Sequence, residues 1–217
     1  MSSINPHYTF HYSQPEEYRF SHDSVMLARK VFERVSASAM ENWRGLDLCS
    51  GCGIVGLDFL FHARKEKGMT PAFFDFVEVQ GIYQPHFEEN LKRLGSVPSA
   101  TRFLNINYSQ LLQDPSFFNS YDLIVSNPPY FRLGQGKLSP SDFKNRCRFF
   151  MDSDFATLLQ ALKKALSPQG QAYILLRDLD DHGWDAFSES QSLLAPTFKI
   201  EKVDDIRGTA LVCISAI

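Results

Sequence analysis

The stretch Leu46-Asp-Leu-Cys-Ser-Gly-Cys-Gly53 links a short apolar run to a helical pattern that begins at Ile54. Glycine tolerates backbone angles that other residues avoid, and small side chains allow a ligand to approach the backbone closely. The first turn of a helix also offers unpaired N–H groups, which suit an anion. We therefore predict a strand, a ligand-binding turn that contains Gly51 and Gly53, and then a helix.

Outward from this turn, apolar strand-like runs alternate with apolar residues at helical spacing. The first predicted strand ends at residue 49, and the others cover 72–79, 101–106, 121–126, 172–176, 198–203 and 209–217. The predicted helices cover 21–40, 54–65, 83–94, 153–166 and 181–194. This alternation predicts an α/β fold with a mostly parallel seven-stranded sheet and helices on both faces. Residues 204–208 leave no room for a crossover helix, so the last strand should be antiparallel.

The composition is that of an ordinary folded protein. The 217 residues are 44% hydrophobic and 22% charged, and the formal net charge is −3. These values exclude a disordered chain, a collagen and a small disulfide scaffold. From the length and the pattern we predict an irregular N-terminal segment over 1–20 and a single domain over 21–217.

The sequence shows no signal-peptide pattern and no apolar run of about 18 residues, so we expect a cytoplasmic protein without a membrane partner. Its four cysteines include one C-x-x-C pair, Cys49 and Cys52. Because Cys147 and Cys213 stand alone and no histidine lies at zinc-finger spacing, we predict no metal site. The oligomeric state stays open.

An acid, Glu78, follows the second predicted strand. A carboxylate at the tip of that strand can hold the two hydroxyls of a ribose through charge-assisted hydrogen bonds. Together with the glycine turn, it predicts a nucleoside-containing cofactor at the carboxyl ends of the strands. NAD and S-adenosylmethionine both satisfy this pattern.

The glycine turn resembles the D-x-G-x-G-x-G motif of class I S-adenosylmethionine-dependent methyltransferases. Asp47, Gly51 and Gly53 match the motif, whereas Cys49 stands in place of its first glycine. The resemblance implies a Rossmann-like fold that binds S-adenosyl-L-methionine through these four residues. A side chain at position 49, close to the methionine part of the cofactor, is expected to lower its affinity.

The same resemblance implies roles for residues after the second and third strands. Glu78 would bind the ribose hydroxyls, and Val79 would pack on the adenine. The family commonly has an aspartate after the third strand that accepts a hydrogen bond from the adenine amino group, and Asn107 stands there in this chain. An amide oxygen can still accept, without charge. Alternatively, Asn107 is a turn residue only.

The most specific string is Asp122-Leu-Ile-Val-Ser-Asn-Pro-Pro-Tyr130. Within it, Asn127, Pro128, Pro129 and Tyr130 resemble the (D/N)-P-P-(Y/F) signature of methyltransferases that modify a planar NH2 nitrogen of adenine, cytosine or glutamine. Such a nitrogen is a poor nucleophile because its lone pair is delocalised. The Asn127 side-chain oxygen and the Pro128 carbonyl can accept its N–H groups and stabilise the growing positive charge. Proline restricts the backbone, and Tyr130 can stack on the planar target.

Basic residues follow this motif. The segment 132–148 carries five basic residues and one acid, which gives a local charge of +4, and phenylalanines are interleaved with it. Such a segment suits phosphate contacts beside an extruded base. We predict substrate contacts by Phe131, Lys144, Arg146 and Arg148. Alternatively, the segment is a solvated loop whose charges serve solubility.

Three strings resemble the bacterial tRNA adenine-N6 methyltransferases: YRFSHDSVMLA over 18–28, EVQ over 78–80 and NPPYF over 127–131. The resemblance implies methyl transfer to N6 of an adenine in RNA, with tRNA as the leading substrate. Asp23 would then close over the methionine end of the cofactor; alternatively, it only caps a helix. An A-R-H-E string common in that family reads Asn145-Arg-Cys-Arg148 here, so only Arg146 matches.

Two other functions stay open. Release-factor glutamine methyltransferases share the Asn-Pro-Pro-Tyr motif, but they usually carry an extra N-terminal helical domain, for which the residues before Leu46 leave little room. The third hypothesis is a cofactor-binding or RNA-binding subunit without activity. Cys49 and Asn107 favour it, whereas the intact motif over 127–130 argues against it.

Overall fold

One sheet of seven strands organises the computed structural model, which describes residues 12–19, 22–36, 38, 40–95, 99–179 and 182–217. The strands are β1 (Arg44–Leu48), β2 (Phe73–Val77), β3 (Ala100–Leu104), β4 (Tyr121–Ser126), β5 (Leu166–Leu176), β6 (Phe198–Ile206) and β7 (Thr209–Ala216). They lie in the order β3-β2-β1-β4-β5-β7-β6. The pairs among β1 to β5 are parallel, whereas β7 is antiparallel to both β5 and β6. The predicted sheet, including its antiparallel last strand, is confirmed.

The α-helices of the described residues are α1 (His22–Arg34), α2 (Ile54–His62), α3 (Gln84–Leu94), α4 (Asp142–Arg148), α5 (Phe155–Ala165) and α6 (Ala186–Leu194). The helix α2 is buried on nearly all sides. The helix α5 buries one apolar face and begins where the Asp154 side chain accepts a hydrogen bond from the Thr157 N–H group. Aspartate is a favoured capping residue, so the sequence predicts this start to within a residue or two.

Several predicted boundaries are corrected. The helix α1 ends at Arg34 rather than near residue 40, and its predicted first residue, Ser21, lies outside the described residues. The helix α6 begins at Ala186 rather than 181, because the Asp185 side chain caps it. The strand β5 begins at Leu166 rather than 172, since Leu166 already pairs with the first residue of β4 before a shift in register.

A further departure is α4, which forms inside the segment 132–148, where the apolar pattern predicts no helix. The Ser141 side chain accepts a hydrogen bond from the Lys144 N–H group at its start. The helix has seven residues, and its buried residue is the polar Asn145. It therefore lacks the apolar periodicity from which helices are recognised.

Two apolar cores cover the two faces of the sheet. One contains α1, α2 and α3 around Phe74 and Phe76, and the other contains α5 and α6 against Leu46 and Ile124. Successive strand residues point to opposite faces, so each parallel strand supplies both cores. With both faces covered, the ends of the strands are the places where a ligand can reach the sheet.

Candidate functional site

A cavity of about 410 Å³ lies at the carboxyl ends of the parallel strands. Its wall includes residues that follow four of them: Cys49 after β1, Glu78 after β2, Asn127 after β4 and Arg177 after β5. Residues of α1 and α4 also contribute to the wall. Polar and aromatic side chains from distant parts of the chain therefore surround one space, in the place where α/β sheets bind ligands.

The turn after β1 has left-handed backbone angles at three positions. The φ angle is 62° at Cys49, 53° at Gly51 and 83° at Gly53. Cys49 and Gly51 line the cavity, whereas Gly53 lies outside its wall and precedes α2. A Cβ atom at Gly53 would lie 2.7 Å from the Phe87 ring, so packing requires glycine there. Cys49 holds a conformation that costs a residue other than glycine about 1–2 kcal/mol.

Asp47 lies beneath the turn and is not part of the cavity wall. Its Oδ2 accepts a hydrogen bond from the Gly56 N–H group in α2 at 2.8 Å, and its buried Oδ1 has no hydrogen-bond partner among the described residues. Burial raises the pKa of Asp47 to about 8. The geometry gives Asp47 the role of joining β1 to α2, and its predicted cofactor contact stays a prediction.

Glu78 reaches across the turn from the end of β2. Its Oε2 accepts a hydrogen bond from the Gly51 N–H group at 2.9 Å, and its Oε1 accepts one from the Gln80 N–H group at 2.8 Å. Burial raises the pKa of Glu78, and these two N–H groups partly oppose the shift. Each carboxylate oxygen has a second lone pair. Glu78 can therefore accept hydrogen bonds from two hydroxyls in the cavity while it holds the turn.

Val79 lines the cavity, whereas Asn107 does not. The Asn107 Oδ1 accepts a hydrogen bond from the Ser109 N–H group, and its Nδ2 donates to the Asp152 carbonyl, both at 2.9 Å. The Asn107 side chain caps a short 3-10 helix, which agrees with the alternative that it is a turn residue, and its contact with an adenine stays a prediction. The neighbours of Asn107 form the cavity wall at this point: Ile106 and Tyr108.

Asn127 is held at both ends of its amide group. Its Nδ2 donates to the Ser24 Oγ in α1 at 2.9 Å, and its Oδ1 accepts the Tyr130 hydroxyl at 2.6 Å. Ser24 is buried, so this bond prevents the amide from rotating freely. A carbonyl oxygen has two lone pairs, and the second remains for an N–H group of a ligand.

The other motif residues line the same cavity, namely Pro128, Pro129, Tyr130 and Phe131. The N–H groups of Tyr130 and Phe131 both donate to the Arg148 carbonyl, at 3.1 and 3.0 Å. The Phe150 N–H group in turn donates to the Phe131 carbonyl at 2.8 Å. The chain therefore returns to the motif after α4 and holds its backbone in place. Stacking of Tyr130 on a target stays a prediction.

Two arginines of the basic segment are held by acids. Arg132 donates to the Glu189 carboxylate in α6 at 2.6 Å, and its guanidinium lies 4.4 Å from the centre of the Trp184 ring. Arg146 donates from Nε to the Asp152 carboxylate at 3.0 Å, and a second contact completes the ion pair. The local charge of +4 is therefore partly neutralised by acids that lie outside the segment.

The remaining predicted substrate residues differ in position. Lys144 lies outside the cavity wall, and its contact with the substrate stays a prediction. Arg146 and Arg148 belong to the wall. The Arg148 guanidinium lies 5.4 Å from the centre of the Phe131 ring and 5.5 Å from that of Phe149, distances at which a cation is attracted to an aromatic face.

Asp23 lies in the first turn of α1 and lines the cavity. Its buried Oδ1 has no hydrogen-bond partner among the described residues, and the nearest ion-pair contact, from Arg207, is 3.6 Å long. The Ser50 Oγ, in the same wall, is also buried without such a partner in the described ranges. Two acceptors with spare capacity at one wall suit an ammonium group of a ligand.

Other residues of the wall carry no recognisable motif. The Tyr83 hydroxyl lies 3.2 Å from the Cys147 Sγ, and the Gln80 Nε2 donates to the same sulfur at 3.4 Å, so α4 is joined to the chain after β2. Ser24 lies beside Asp23 in the sequence, but no spacing signals its bond to Asn127. Further residues of the wall to which the sequence assigned no role are Tyr18, Tyr108, Asp152 and Arg177.

The described residues match neither of two further patterns, a metal-binding cluster and a membrane-spanning helix. No three His, Cys, Asp or Glu side chains of that part of the chain are grouped so that they could hold a metal ion. Among the same residues, no helix combines the length and the apolar character that crossing a membrane requires.

Comparison with solved structures identifies the fold. The chain aligns with ribosomal protein L11 methylase from Lactobacillus delbrueckii subsp. bulgaricus at a TM-score of 0.58 and 17% identity, over 91% of this chain and 80% of that one. The chain has a class I methyltransferase fold. TrmN from Thermus thermophilus also has this fold and aligns at a TM-score of 0.58 and 20% identity, over 89% of this chain and 49% of that one. At these identities the likeness concerns the class I fold alone.

Curated relatives are similar in sequence to part of the chain. The tRNA1(Val) (adenine(37)-N6)-methyltransferase of Aeromonas salmonicida is 33% identical over 140 residues, which are 64% of this chain and 54% of that protein. The protein of the same name from Dyadobacter fermentans is 31% identical over 134 residues, 61% and 50% of the two chains. The release factor glutamine methyltransferase of Borreliella burgdorferi is 25% identical over 154 residues. The chain spans about half the length of these relatives. No protein-family model matches it.

Proposed function

We propose that the chain transfers a methyl group from S-adenosylmethionine to the exocyclic N6 amino group of an adenine in RNA, with tRNA as the leading substrate. The observation that carries the proposal is Asn127, whose amide is fixed in the cavity wall with one lone pair of its oxygen free. The methyltransferase fold and the names of the relatives support the same reaction. The proposal implies a cytoplasmic protein, because mature tRNA acts there.

The cavity wall fits the proposed cofactor at three points. Glu78 offers spare acceptors to the ribose hydroxyls, and Val79 lies beside it for the adenine. Asp23 and Ser50 offer buried acceptors without hydrogen-bond partners among the described residues to the ammonium group of the methionine end. Gly51 leaves the backbone of the turn open to approach. When bound, S-adenosylmethionine supplies the electrophilic methyl group.

The catalytic contribution of the chain is the placing of two acceptors. The Asn127 Oδ1 and the Pro128 carbonyl accept the two N–H groups of the target amine, which favours a localised lone pair and stabilises the positive charge of the transition state. The Ser24 hydroxyl accepts the Asn127 Nδ2–H group and thereby fixes the orientation of the amide. Preorganised acceptors need little rearrangement during the reaction, and the positioning of the amine supplies a further large share of the rate.

Methylation of a protein glutamine is the second candidate, favoured by the similarity to a release factor glutamine methyltransferase. An amide nitrogen also has a delocalised lone pair and two N–H groups, so the same acceptors serve it. The two candidates differ in the groups around the amine. Arg148, which lies over two phenylalanine rings at the cavity, favours an anionic target that carries an aromatic base.

The test is incubation of the protein with S-adenosylmethionine labelled in its methyl group and with separate pools of tRNA, ribosomal RNA, DNA and release factors. We expect label in tRNA and, after nuclease digestion, in N6-methyladenosine. Label confined to the release factors would replace the proposal with the second candidate. Binding of the cofactor without label in any pool would favour a subunit without activity.

A further inference from the structure

Three arginines from separate parts of the chain lie in the cavity wall or beside it. Arg148 ends α4, Arg177 follows β5, and Arg207 lies in the turn between β6 and β7. Because β6 is parallel to β5, the Arg207 turn lies at the same edge of the sheet as the motif residues. We call this set the arginine rim.

Contacts place each member of the rim at the site. Arg148 and Arg177 belong to the cavity wall, and Arg177 is close enough to Tyr130 to act on its hydroxyl electrostatically. Arg207 reaches Asp23, another residue of the wall, at 3.6 Å. The arginine rim therefore borders both Tyr130 and the start of α1.

The rim differs from the rest of the basic segment in its partners. Arg132 and Arg146 donate to carboxylates and are held by them. Among the described residues, Arg148 and Arg177 have no carboxylate within 4.0 Å. The Arg207 Nη1 atom lies 3.6 Å from the Asp23 carboxylate and 3.5 Å from the His22 Nδ1 atom, and both distances exceed those of ordinary hydrogen bonds. The Arg207 side chain is 58% exposed. The rim therefore keeps most of its donors available to an anion.

We infer that the arginine rim, rather than the lysines of the segment 132–148, binds the phosphates that flank the target nucleotide of a single-stranded RNA loop. The inference rests on the proposed function. A base that enters the cavity brings its own phosphates to the mouth, where three guanidinium groups on three elements can each donate two N–H groups to an anion. The chain as a whole carries −3, so the attraction is local to this edge.

The experiment compares two double variants that remove equal charge. Arg177→Gln with Arg207→Gln changes the rim, and Lys137→Gln with Lys144→Gln changes the segment. Glutamine keeps most of the aliphatic stem, and Arg148 is left unchanged because it packs on two phenylalanine rings. The dissociation constant of a fluorescent anticodon stem-loop RNA is measured by anisotropy at several KCl concentrations with S-adenosylhomocysteine present.

Each phosphate contact on a single strand contributes about 0.7 to the slope of log K against log salt. The rim variant loses two such contacts, so we expect its slope to be smaller by about 1.4. The same loss should weaken binding at 0.1 M KCl by about tenfold or more. The lysine variant should keep the wild-type slope. Both variants should keep the circular dichroism spectrum and the thermal unfolding midpoint of the wild type, which shows that they are folded.

Two results would overturn the inference, and they are distinguishable. In the first, the wild type binds RNA, but the slope falls in the lysine variant or stays unchanged in the rim variant. This result would contradict the role of the arginine rim and leave the proposed function intact. In the second, the wild type binds S-adenosylhomocysteine but binds no RNA at any salt concentration. This result would contradict both the proposed function and the role of the arginine rim.

Discussion

The two halves of the cavity are stabilised in different ways. Around the glycine turn, carboxylates accept hydrogen bonds from backbone N–H groups: Asp47 from Gly56, and Glu78 from Gly51 and Gln80. These partners are 9, 27 and 2 positions apart. A backbone donor is present whatever the residue type, so this half depends on the position of a single side chain.

Around the motif, backbone bonds are joined by bonds between two side chains. Asn127 bonds to Ser24 over 103 positions, and Arg132 bonds to Glu189 over 57. Each of these bonds needs two particular residue types to meet in the fold. The comparison teaches that the turn half can be deduced from a local motif, whereas the motif half depends on pairs that only the tertiary structure brings together.

The largest effect is expected from the motif half. Asn127→Ala removes the acceptor for the target amine, and the loss of one preorganised donor or acceptor at a reacting group costs about 10²–10³ in kcat. Cofactor affinity should stay unchanged, because the contacts of the turn remain. Methyl-transfer rates and calorimetry with S-adenosylmethionine measure the two quantities. Asn42→Ala, an exposed residue outside the cavity, is the control. Loss of cofactor binding in Asn127→Ala would mean that the two halves are not separable.

A substitution in the turn half should have the opposite effect, with a loss of cofactor affinity and little change in rate. Glu78→Gln replaces two acceptor oxygens by one, so the side chain cannot hold Gly51, Gln80 and two hydroxyls together. A lost hydrogen bond to a charged group is worth about 1.5–3 kcal/mol, which corresponds to about a tenfold to hundredfold weaker cofactor affinity. The rate at saturating cofactor should change much less. Glu88→Gln, an exposed acid of α3, is the matched control. Unchanged affinity in Glu78→Gln would remove Glu78 from the cofactor site.

The stability of the turn half should depend on pH through Asp47. Its folded pKa is about 8, against 3.8 as its ordinary value. Between these values the unfolded chain has released the proton and the folded chain retains it, so the free energy of unfolding falls as pH rises. The slope is at most about 1.4 kcal/mol per pH unit for one group. Asp47→Asn should show a shallower fall in urea unfolding from pH 5 to pH 8. Parallel curves for the two proteins would contradict the raised pKa.

The smallest effect is expected from Ser24→Ala. Loss of the bond to the Asn127 Nδ2 atom is worth about 0.5–1.5 kcal/mol, so kcat should fall about twofold to tenfold. Cofactor affinity should not change, and Ser24→Thr, which keeps the hydroxyl, should recover part of the rate. A merely structural role would instead lower the thermal stability of both variants without a selective effect on kcat.

The sequence predicted the sheet and the edge of the sheet at which the motifs meet, and the reason is physical. In parallel α/β sheets the motifs after each strand share one edge, so Cys49, Glu78 and Asn127 converge once the strands are assigned. It could not tell that Asn107 and Lys144 lie outside the cavity wall, because a turn residue and a helix residue can face either way. The helix α4 was missed since its buried residue is polar and its cap, Ser141, is a common loop residue.

By itself, the sequence determined the α/β fold, the glycine turn and the Asn-Pro-Pro-Tyr string, because alternating apolar patterns and local motifs act over a few residues. The tertiary structure decided which charges remain available. It paired Arg132 with Glu189 and Arg146 with Asp152, and it brought Arg177 into the cavity wall and Arg207 next to Asp23. Ion pairs between distant residues depend on how the elements pack, and no local pattern records that packing.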